Sequence, residues 1–250
     1  MELQAVAFDI GNTLIDDYTL QLRSVQEVAA GLVRKSVIDS SELFVSTYIG
    51  VNRSNTLPFL SHTYGDIRFF EDTLRRLDVD TISPSQVLDD YRTILMRRSR
   101  IEPAVEAALD DLRTCGMKTA VLSNESTERV DSLFRKTGVG RHFDVVVVSQ
   151  AVGVEKPDRR IFEVLVERLG VPPESVALFG DNEVADGACK ELGMRFVLVT
   201  GYKRADWGWE KGQLYEPDYR VDHVTPESVK AFVSSAGKPR RSRPQRQARP

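Results

Sequence analysis

The sequence alternates short apolar runs with segments that have the apolar spacing of helices. The runs are rich in β-branched residues and are continuously apolar, as in the four valines of Val145–Val148. This pattern is typical of parallel strands that helices cover on both faces. The alternation therefore predicts a doubly wound, Rossmann-like α/β fold with a mostly parallel sheet. The predicted strands are Leu3–Phe8, Lys118–Leu122, Phe143–Val148, Ser175–Phe179, Arg195–Thr200 and Tyr219–Val224.

Glycines mark the ends of the helical segments between these strands. A glycine directly after the last periodic residue is a common helix stop, because glycine adopts the left-handed backbone conformation at little cost. The sequence Thr225-Pro226-Glu227 indicates one further helix start. The helices predicted for this part, each followed by a glycine, are Ala104–Cys115, Ser126–Thr137, Arg159–Leu169 and Asp186–Leu192.

One stretch interrupts the alternation, because residues 16–102 contain no convincing apolar strand. Their patterns predict helices, with loops near Gly50–Thr56 and Ser61–Gly65. An insertion after the first strand would lie over the carboxyl edge of the sheet. We therefore expect a helical cap over residues 16–102 and an α/β core of residues 1–15 and 103–237. The predicted cap helices are Leu20–Lys35, Ser41–Tyr48, Asp66–Leu77 and Ser85–Arg98.

Positive charge concentrates at the carboxyl terminus. Residues 238–250 carry six basic side chains and no acid and are rich in proline, so they are predicted to be disordered. The net charge of the whole chain is −3, so the remainder is acidic, which argues against a nucleic-acid-binding domain. No stretch approaches the roughly 18 apolar residues of a membrane span, and the first apolar run is too short for a signal peptide. We therefore expect a cytoplasmic location without membrane contact.

Polar residues follow the predicted strands at the points where the strands end. Asp9 follows the first strand, Ser123-Asn124 the second, and Gly180-Asp181 the fourth. Lys156 lies just beyond the third strand, and Asp186 comes five residues after Asp181. Because the carboxyl ends of strands in an open α/β sheet border one crevice, we expect these side chains to converge.

The types of these residues suit phosphoryl transfer. A carboxylate such as Asp9 can attack phosphorus and form an aspartyl-phosphate. The transferred group carries negative charge, so it needs cations such as Lys156 and a metal ion. Asp9, Asp181 and Asp186 offer the hard oxygen ligands that Mg²⁺ prefers. The hydroxyl of Ser123, with N–H groups at the following helix start, would hold phosphate oxygens.

In order and spacing, these motifs resemble those of the haloacid dehalogenase superfamily. Phe8–Leu14 is similar to its first motif, Val121–Asn124 to the second, Glu155–Asp158 to the third, and Gly180-Asp181 with Asp186 to the fourth. The resemblance implies Mg²⁺-dependent hydrolysis of a small phosphorylated metabolite, such as a sugar phosphate, and a subclass with a helical cap. It also implies roles: Asp9 and Lys156 in catalysis; Ser123, Asn124 and Lys156 in phosphate binding; Asp9, Asp181, Asp186 and the Gly11 carbonyl in metal binding.

Gly11 departs from the superfamily pattern. In the phosphatases that the chain resembles, this position is an Asp that protonates the leaving oxygen and then activates water. General acid–base catalysis is worth roughly 10²–10⁴-fold, so its loss matters. Candidate replacements are Asp16, Asp17, His62 and Tyr64. Arg53, in the loop predicted near Gly50–Thr56, is a candidate for binding an anionic group of the substrate.

Three interpretations of the departure stay open. The chain is a phosphatase that has a replacement acid/base, or whose leaving group needs little protonation, as an anomeric oxygen does. Alternatively it carries out dehalogenation, which uses no Mg²⁺, or phosphonate cleavage, which uses a cap lysine; Lys35 is the only lysine in residues 16–102. Finally, it binds phosphate without turnover. The joint retention of Asp9, Ser123, Lys156 and Asp181 argues against this last interpretation. The pair Asp181 and Asp186 indicates a retained metal site and so argues against dehalogenation, which leaves the first interpretation as the favoured one.

Overall fold

A single sheet of six strands organises the fold. The structure is a computed structural model that describes residues 2–54, 67–203 and 212–236. The strands are β1 (Ala5–Phe8), β2 (Lys118–Ser123), β3 (Val145–Val148), β4 (Val176–Gly180), β5 (Arg195–Val199) and β6 (Tyr219–Val221). They lie in the order β3-β2-β1-β4-β5-β6, and every neighbouring pair is parallel. The predicted α/β fold with a parallel sheet is confirmed.

Helices connect the strands and cover both faces of the sheet. The α-helices of the described residues are α1 (Asp17–Arg34), α2 (Ser41–Ser54), α3 (Ile67–Arg76), α4 (Pro84–Arg98), α5 (Pro103–Thr114), α6 (Thr127–Thr137), α7 (Ser149–Val152), α8 (Arg159–Leu169) and α9 (Pro226–Ala236). Short 3₁₀ helices cover Val139–His142, Pro173–Ser175 and Gly187–Leu192. Gly138 and Gly170 end α6 and α8 in the left-handed conformation, as their positions in the sequence predict.

Alternate side chains of the central strand β1 enter two different apolar cores. Val6 and Phe8 pack with α5 and α9 on one face of the sheet. Ala5 and Ala7 pack with α8 on the other face. Because both faces are covered, the strands are apolar along their length, and the polar residues of the site lie where the strands end.

The helices α1 to α4, which we call the helical insertion, follow β1 and have an apolar core of their own. Aromatic rings fill its centre: the Phe70 ring centroid lies 5.1 Å from that of Tyr48 and 5.3 Å from that of Tyr91. At the start of α1, the Asp16 side chain accepts the N–H of Thr19 at 3.1 Å and caps the helix. The structure thus has helices where the sequence lacks a strand pattern.

Two local predictions are wrong. Gly50–Thr56 is not a loop as far as it is described, because residues 50–54 continue α2, and Arg53 lies in its last turn. A glycine inside a helix weakens it by about 1 kcal/mol but does not stop it when tertiary packing supports the helix. The predicted α-helix Asp186–Leu192 is instead the tighter 3₁₀ helix Gly187–Leu192, which the periodicity of so short a segment does not distinguish.

Several predictions fall outside the described residues. These are the loop near Ser61–Gly65, the candidate residues His62 and Tyr64, the helix start at Asp66, and the basic tail of residues 238–250. Within the described ranges, none of the helices combines the length and the apolar character that crossing a bilayer requires.

Candidate active site

Lys156 contacts two carboxylates at the carboxyl edge of the sheet. Its Nζ lies 2.8 Å from Asp9 Oδ1 and 2.6 Å from Asp186 Oδ1, and it donates to the Leu122 carbonyl at 3.0 Å. Asp9 directly follows β1, where its N–H donates to the Phe179 carbonyl of β4 at 2.8 Å. The Lys156 side chain is only 3% exposed. Three residues that the sequence predicted for the site therefore meet in a buried ion-pair cluster.

The side chain of Asn124 fixes the backbone of Lys156. Its Oδ1 accepts the Lys156 N–H at 2.8 Å, and its Nδ2 donates to the Lys156 carbonyl at 2.8 Å. The sequence predicted that Asn124 binds phosphate. In the structure, both polar atoms of its side-chain amide form hydrogen bonds with the backbone of Lys156. Ser123, the last residue of β2, is buried at the same edge of the sheet. The end of β2 thus sets where the loop lysine lies.

Three carboxylates cluster around this lysine. One carboxylate oxygen from each of Asp9, Asp181 and Asp186 lies within 4.8 Å of the others. Asp186 is held in place, because its Oδ2 accepts the N–H of Asn182 at 3.0 Å. Gly180 makes the close approach possible: a Cβ there would lie 2.3 Å from the Asp186 carboxyl group. The Gly180-Asp181 motif therefore needs its glycine for steric reasons.

Burial dominates the electrostatics of the cluster. It raises the pKa of Asp9 to about 6, a shift that Lys156 opposes and Asp186 reinforces. Burial also raises the pKa of Asp181 well above its usual value, and Asp186 and Asp9 add to the shift. Burial lowers the pKa of Lys156, but Asp186 and Asp9 more than offset this and leave it above its usual value. With one lysine against three carboxylates, the cluster is short of positive charge.

The donor set of this cluster fits a hard divalent cation. Carboxylate oxygens are the protein ligands that Mg²⁺ prefers, and an added cation would balance the excess of buried carboxylates. Asp9, Asp181 and Asp186 are the residues that could hold it. The carbonyl of Gly11, predicted as a further ligand, belongs to the loop directly after β1. Its metal contact stays a prediction.

The two acids that follow this loop have different surroundings. Asp16 is the N-cap of α1. Asp17 is buried and faces the open side of Gly11, where a Cβ would lie 3.6 Å from Asp17 Oδ2. The carboxylate of Asp17, six positions further along the chain, thus borders the space beside Gly11.

Arg53 borders a pocket between α1 and α2. The pocket is lined by Tyr18, Gln21, Leu22, Val25, Tyr48, Ile49, Asn52 and Arg53. The N–H of Tyr18, one of the lining residues, donates to Asn12 Oδ1 at 3.0 Å, so the pocket adjoins the loop that follows Asp9. The structure therefore places Arg53 in a helix that lines a pocket rather than in a free loop.

Three ion pairs of this part of the molecule have no counterpart in the sequence predictions. Arg129 of α6 binds Asp17 and Glu125, and Lys203, after β5, binds Glu183 Oε2 at 2.6 Å. The spacing of Glu125 and Arg129 is a recognisable signal for a local pair. The partner Asp17, in contrast, lies 112 positions away in the sequence, and no local pattern encodes that contact.

Sequence comparisons place these features in a known family. The family model for haloacid dehalogenase-like hydrolases matches residues 3–193. The chain is 27% identical to the (S)-2-haloacid dehalogenase of Pseudomonas sp. (strain YL) over 246 residues, which are 94% of this chain and 97% of that protein. It is 36% identical to the phosphoserine phosphatase of Thermus thermophilus over 104 residues, which are 41% of this chain and 42% of that protein. The chain thus spans about two fifths of that phosphatase.

A solved structure agrees in fold. The crystal structure of a HAD phosphatase from Thermococcus onnurineus superposes with a TM-score of 0.62 at 23% identity, covering 94% of this chain and 98% of that chain. At this identity the likeness shows the fold alone. The family match over most of the chain carries the assignment. The chain belongs to the haloacid dehalogenase-like hydrolase family.

Proposed function

We propose that the chain is a Mg²⁺-dependent phosphomonoester hydrolase that forms an aspartyl-phosphate at Asp9. The observation that carries the proposal is the position of the buried Lys156 Nζ between Asp9 and Asp186. A nucleophilic carboxylate here lies beside a fixed cation and a cluster of oxygen ligands. All of them are at the edge of the sheet where open α/β folds bind their ligands.

The proposed reaction has two steps, and Asp9 carries the phosphoryl group between them. In the first, an Asp9 oxygen bonds to phosphorus, and the bond from phosphorus to the ester oxygen breaks, releasing the leaving group. In the second, water attacks phosphorus and the bond to Asp9 breaks, which yields phosphate and the free carboxylate. Lys156 opposes the upward shift of the Asp9 pKa and so favours the ionised form that attacks.

The other residues of the cluster would bind the charged parts of the reaction. Lys156 and the hydroxyl of Ser123 would hold phosphoryl oxygens, while Asn124 acts as a positioning residue for Lys156. Bound Mg²⁺ would supply positive charge for the oxygens of the transferred group. Its proposed ligands are Asp9, Asp181, Asp186 and the Gly11 carbonyl.

Gly11 shapes the proposed choice of substrate. Glycine supplies no proton to the leaving oxygen, and Asp16 and Asp17 both have structural partners. A leaving group of low pKa departs without protonation more readily than a primary alcohol does. We therefore place the substrate among small phosphorylated metabolites with a good leaving group, such as a sugar 1-phosphate.

The helical insertion would act as the cap that selects the leaving group. Residues 16–102 would form this cap, and residues 1–15 and 103–237 the catalytic core. The pocket between α1 and α2 adjoins the loop after Asp9 through the contact of Tyr18 with Asn12. Arg53 would bind an anionic group of the substrate at this pocket.

Release of phosphate from a panel of phosphomonoesters tests the proposal. With Mg²⁺, the protein should cleave sugar 1-phosphates and nitrophenyl phosphate faster than sugar 6-phosphates, and EDTA should abolish the activity. If Asp16 or His62 donates the proton, Asp16→Asn or His62→Ala should slow the 6-phosphates selectively. Phosphate binding without turnover, or no release from the folded protein across the panel, would contradict the proposal.

A dehalogenase is the second candidate, because the chain is 27% identical to a haloacid dehalogenase over 94% of its length and lacks an acid at Gly11. In that reaction an Asp9 oxygen would displace halide from carbon, and water would cleave the resulting ester. Halide release from 2-haloacids that persists in EDTA would identify this activity. The acids Asp181 and Asp186 favour the phosphatase, because halide displacement needs no metal ion.

A further inference from the structure

Arg129 joins a buried carboxylate and a partly buried one that belong to different parts of the molecule. One terminal nitrogen, Nη2, contacts Asp17 Oδ1, and the other, Nη1, lies 2.5 Å from Glu125 Oε2. The Arg129 side chain is 14% exposed and that of Asp17 is 11% exposed. Burial lowers the pKa of Arg129, but Asp17 and Glu125 more than offset this, so it stays fully charged.

Each carboxylate leads to a different segment of the proposed site. Asp17 begins α1 and faces the open side of Gly11. Glu125 directly follows Asn124, whose side chain brackets the backbone of Lys156. A continuous path therefore runs from Asp17 through Arg129 to Glu125, and across one peptide bond to Asn124. Asn124 in turn contacts Lys156, the cation that binds Asp9.

The Glu125 end of this path is itself anchored. The N–H of Glu125 donates to Ser149 Oγ at 3.1 Å, and Glu125 Oε1 accepts the N–H of Ser126 at 2.8 Å. Glu125 is therefore hydrogen-bonded to the first residue of α7 and to the N-cap of α6, and Arg129 connects it to Asp17. The planar fork of the Arg129 guanidinium, which fixes the angle between its two partners, can transmit that position to Asp17.

We propose that Arg129 is a positioning residue for the hydrolase reaction: it sets the first turn of the helical insertion relative to the loop that holds Lys156, and thereby aligns Lys156 with Asp9. This role rests on the proposed function, because it concerns the alignment of a reacting carboxylate with its cation. Arg129 touches neither Asp9 nor the phosphoryl group in this scheme. It acts by coupling Asp17, which lies beside Gly11 in the loop after Asp9, to the segment Asn124-Glu125, which holds the Lys156 backbone.

Substitution of Arg129 tests this role in the full-length protein. Arg129→Met should lower kcat about 10- to 100-fold at saturating Mg²⁺, because displacements of about 1 Å cost rates of this size. Arg129→Lys keeps the charge but not the fork and should recover part of the loss. Arg135→Met is the matched control, since Arg135 lies on the same helix but is exposed, and its kcat should stay within about twofold.

A second variant separates positioning from folding. Arg129→Met leaves the buried carboxylate of Asp17 without its cation. The double variant Asp17→Asn/Arg129→Met removes that buried charge and is measured if the single variant folds poorly. Its kcat should be as low as that of Arg129→Met, because the same link is broken. A purely structural role predicts a lower Tm with an unchanged kcat of the folded fraction, and that result in both variants would overturn the proposal.

Hydrogen exchange distinguishes failure of this inference from failure of the proposed function. The Lys156 N–H donates to Asn124 Oδ1 and the Tyr18 N–H to Asn12 Oδ1, so both report on the alignment. In Arg129→Met both amides should exchange at least about tenfold faster than in Arg135→Met. If the wild type releases no phosphate, this measurement alone decides: faster exchange supports the positioning role, and unchanged exchange overturns it.

Discussion

The carboxyl edge of the sheet buries charges, whereas the helical insertion buries aromatic rings. At the sheet edge, Lys156 and Asp186 have side chains that are 3% and 1% exposed. In the insertion, the centre is apolar, and the clearest charge cluster, that of Glu27 with Arg97 and Arg98, is at the surface. Apart from Asp17, which is buried where α1 meets the α/β core, the ionisable groups of these two regions thus lie in opposite environments.

This contrast predicts which substitutions should affect stability and which should affect activity. Burying ions costs several kcal/mol each before their mutual attraction is counted, so a buried ion cluster is weak evidence for stability. Burial of aromatic rings is the ordinary source of stability in a core. Substitutions at the sheet edge should therefore change activity most, and substitutions in the insertion should change stability most.

The largest expected effect is at Asp9. Asp9→Asn keeps the size of the side chain but replaces the nucleophilic oxygen, so phosphate release should fall by at least about 10⁴-fold. The folded state should persist, because the lysine of the cluster keeps its contact with Asp186. Steady-state phosphate release and a thermal melt measure the two effects. Asp131→Asn, on exposed α6 surface, is the control, and an Asp9→Asn protein with full activity would refute the aspartyl-phosphate mechanism.

The residues of the site at the sheet edge could be predicted from the sequence, but the contacts between them could not. Asp9, Ser123 and Asp181 were recognisable because each follows an apolar run, directly or after one glycine, which is a local pattern. The contact of Lys156 with Asp9 joins positions 147 residues apart, so it follows from the strand order and not from the sequence pattern. For the same reason, the strand-end position of Asn124 did not reveal that its amide binds the Lys156 backbone.

The fold was predictable wherever a local sequence feature corresponds to a single structure. Glycine does not always correspond to a helix end: Gly138 ends α6, while Gly50 lies inside α2. The two differ in their surroundings, since Gly138 has φ of +74° and Gly50 is part of a helix whose buried residues pack into the insertion. Tertiary packing, which the sequence pattern does not report, decided between a helix stop and a helix interior.

A substitution in the core of the insertion should change stability instead. Phe70 is fully buried between Tyr48 and Tyr91, so Phe70→Ala should lower the free energy of unfolding by about 3–5 kcal/mol. Denaturant unfolding measures this, and kcat of the folded fraction should fall far less than in Asp9→Asn. Leu43→Ala, at a side chain that is 57% exposed, should change stability by less than about 0.5 kcal/mol. If Phe70→Ala lowered the free energy of unfolding by less than about 1 kcal/mol, the aromatic core would not be the main source of stability in the insertion.

A smaller effect is expected at Gly180, where the backbone lies close to the Asp186 carboxyl group at the sheet edge. In Gly180→Ala the new methyl group would overlap the Asp186 carboxyl group, so the unfolding free energy should fall by about 1–3 kcal/mol. Displacement of Asp186 should also weaken Mg²⁺ binding, which calorimetric titration measures. The matched control is Gly50→Ala, where the space is open and the helix should gain up to about 1 kcal/mol. Unchanged Mg²⁺ affinity in Gly180→Ala would argue against Asp186 as a ligand.

The smallest effect is expected at the surface of the insertion. Hydrogen bonds from Arg97 and then Arg98 hold the pKa of Glu27 below its usual value. A lowered pKa means that Glu27 stabilises the fold above its ordinary pKa of 4.5 and loses this contribution as the pH falls through the lower value. Glu27→Gln should therefore cost less than about 1 kcal/mol at pH 7, and the difference from the wild type should vanish in acid. Urea unfolding at a series of pH values measures it, with Glu71→Gln as the exposed control in the same insertion. A pH-independent difference would mean that Glu27 contributes through packing and not through its charge.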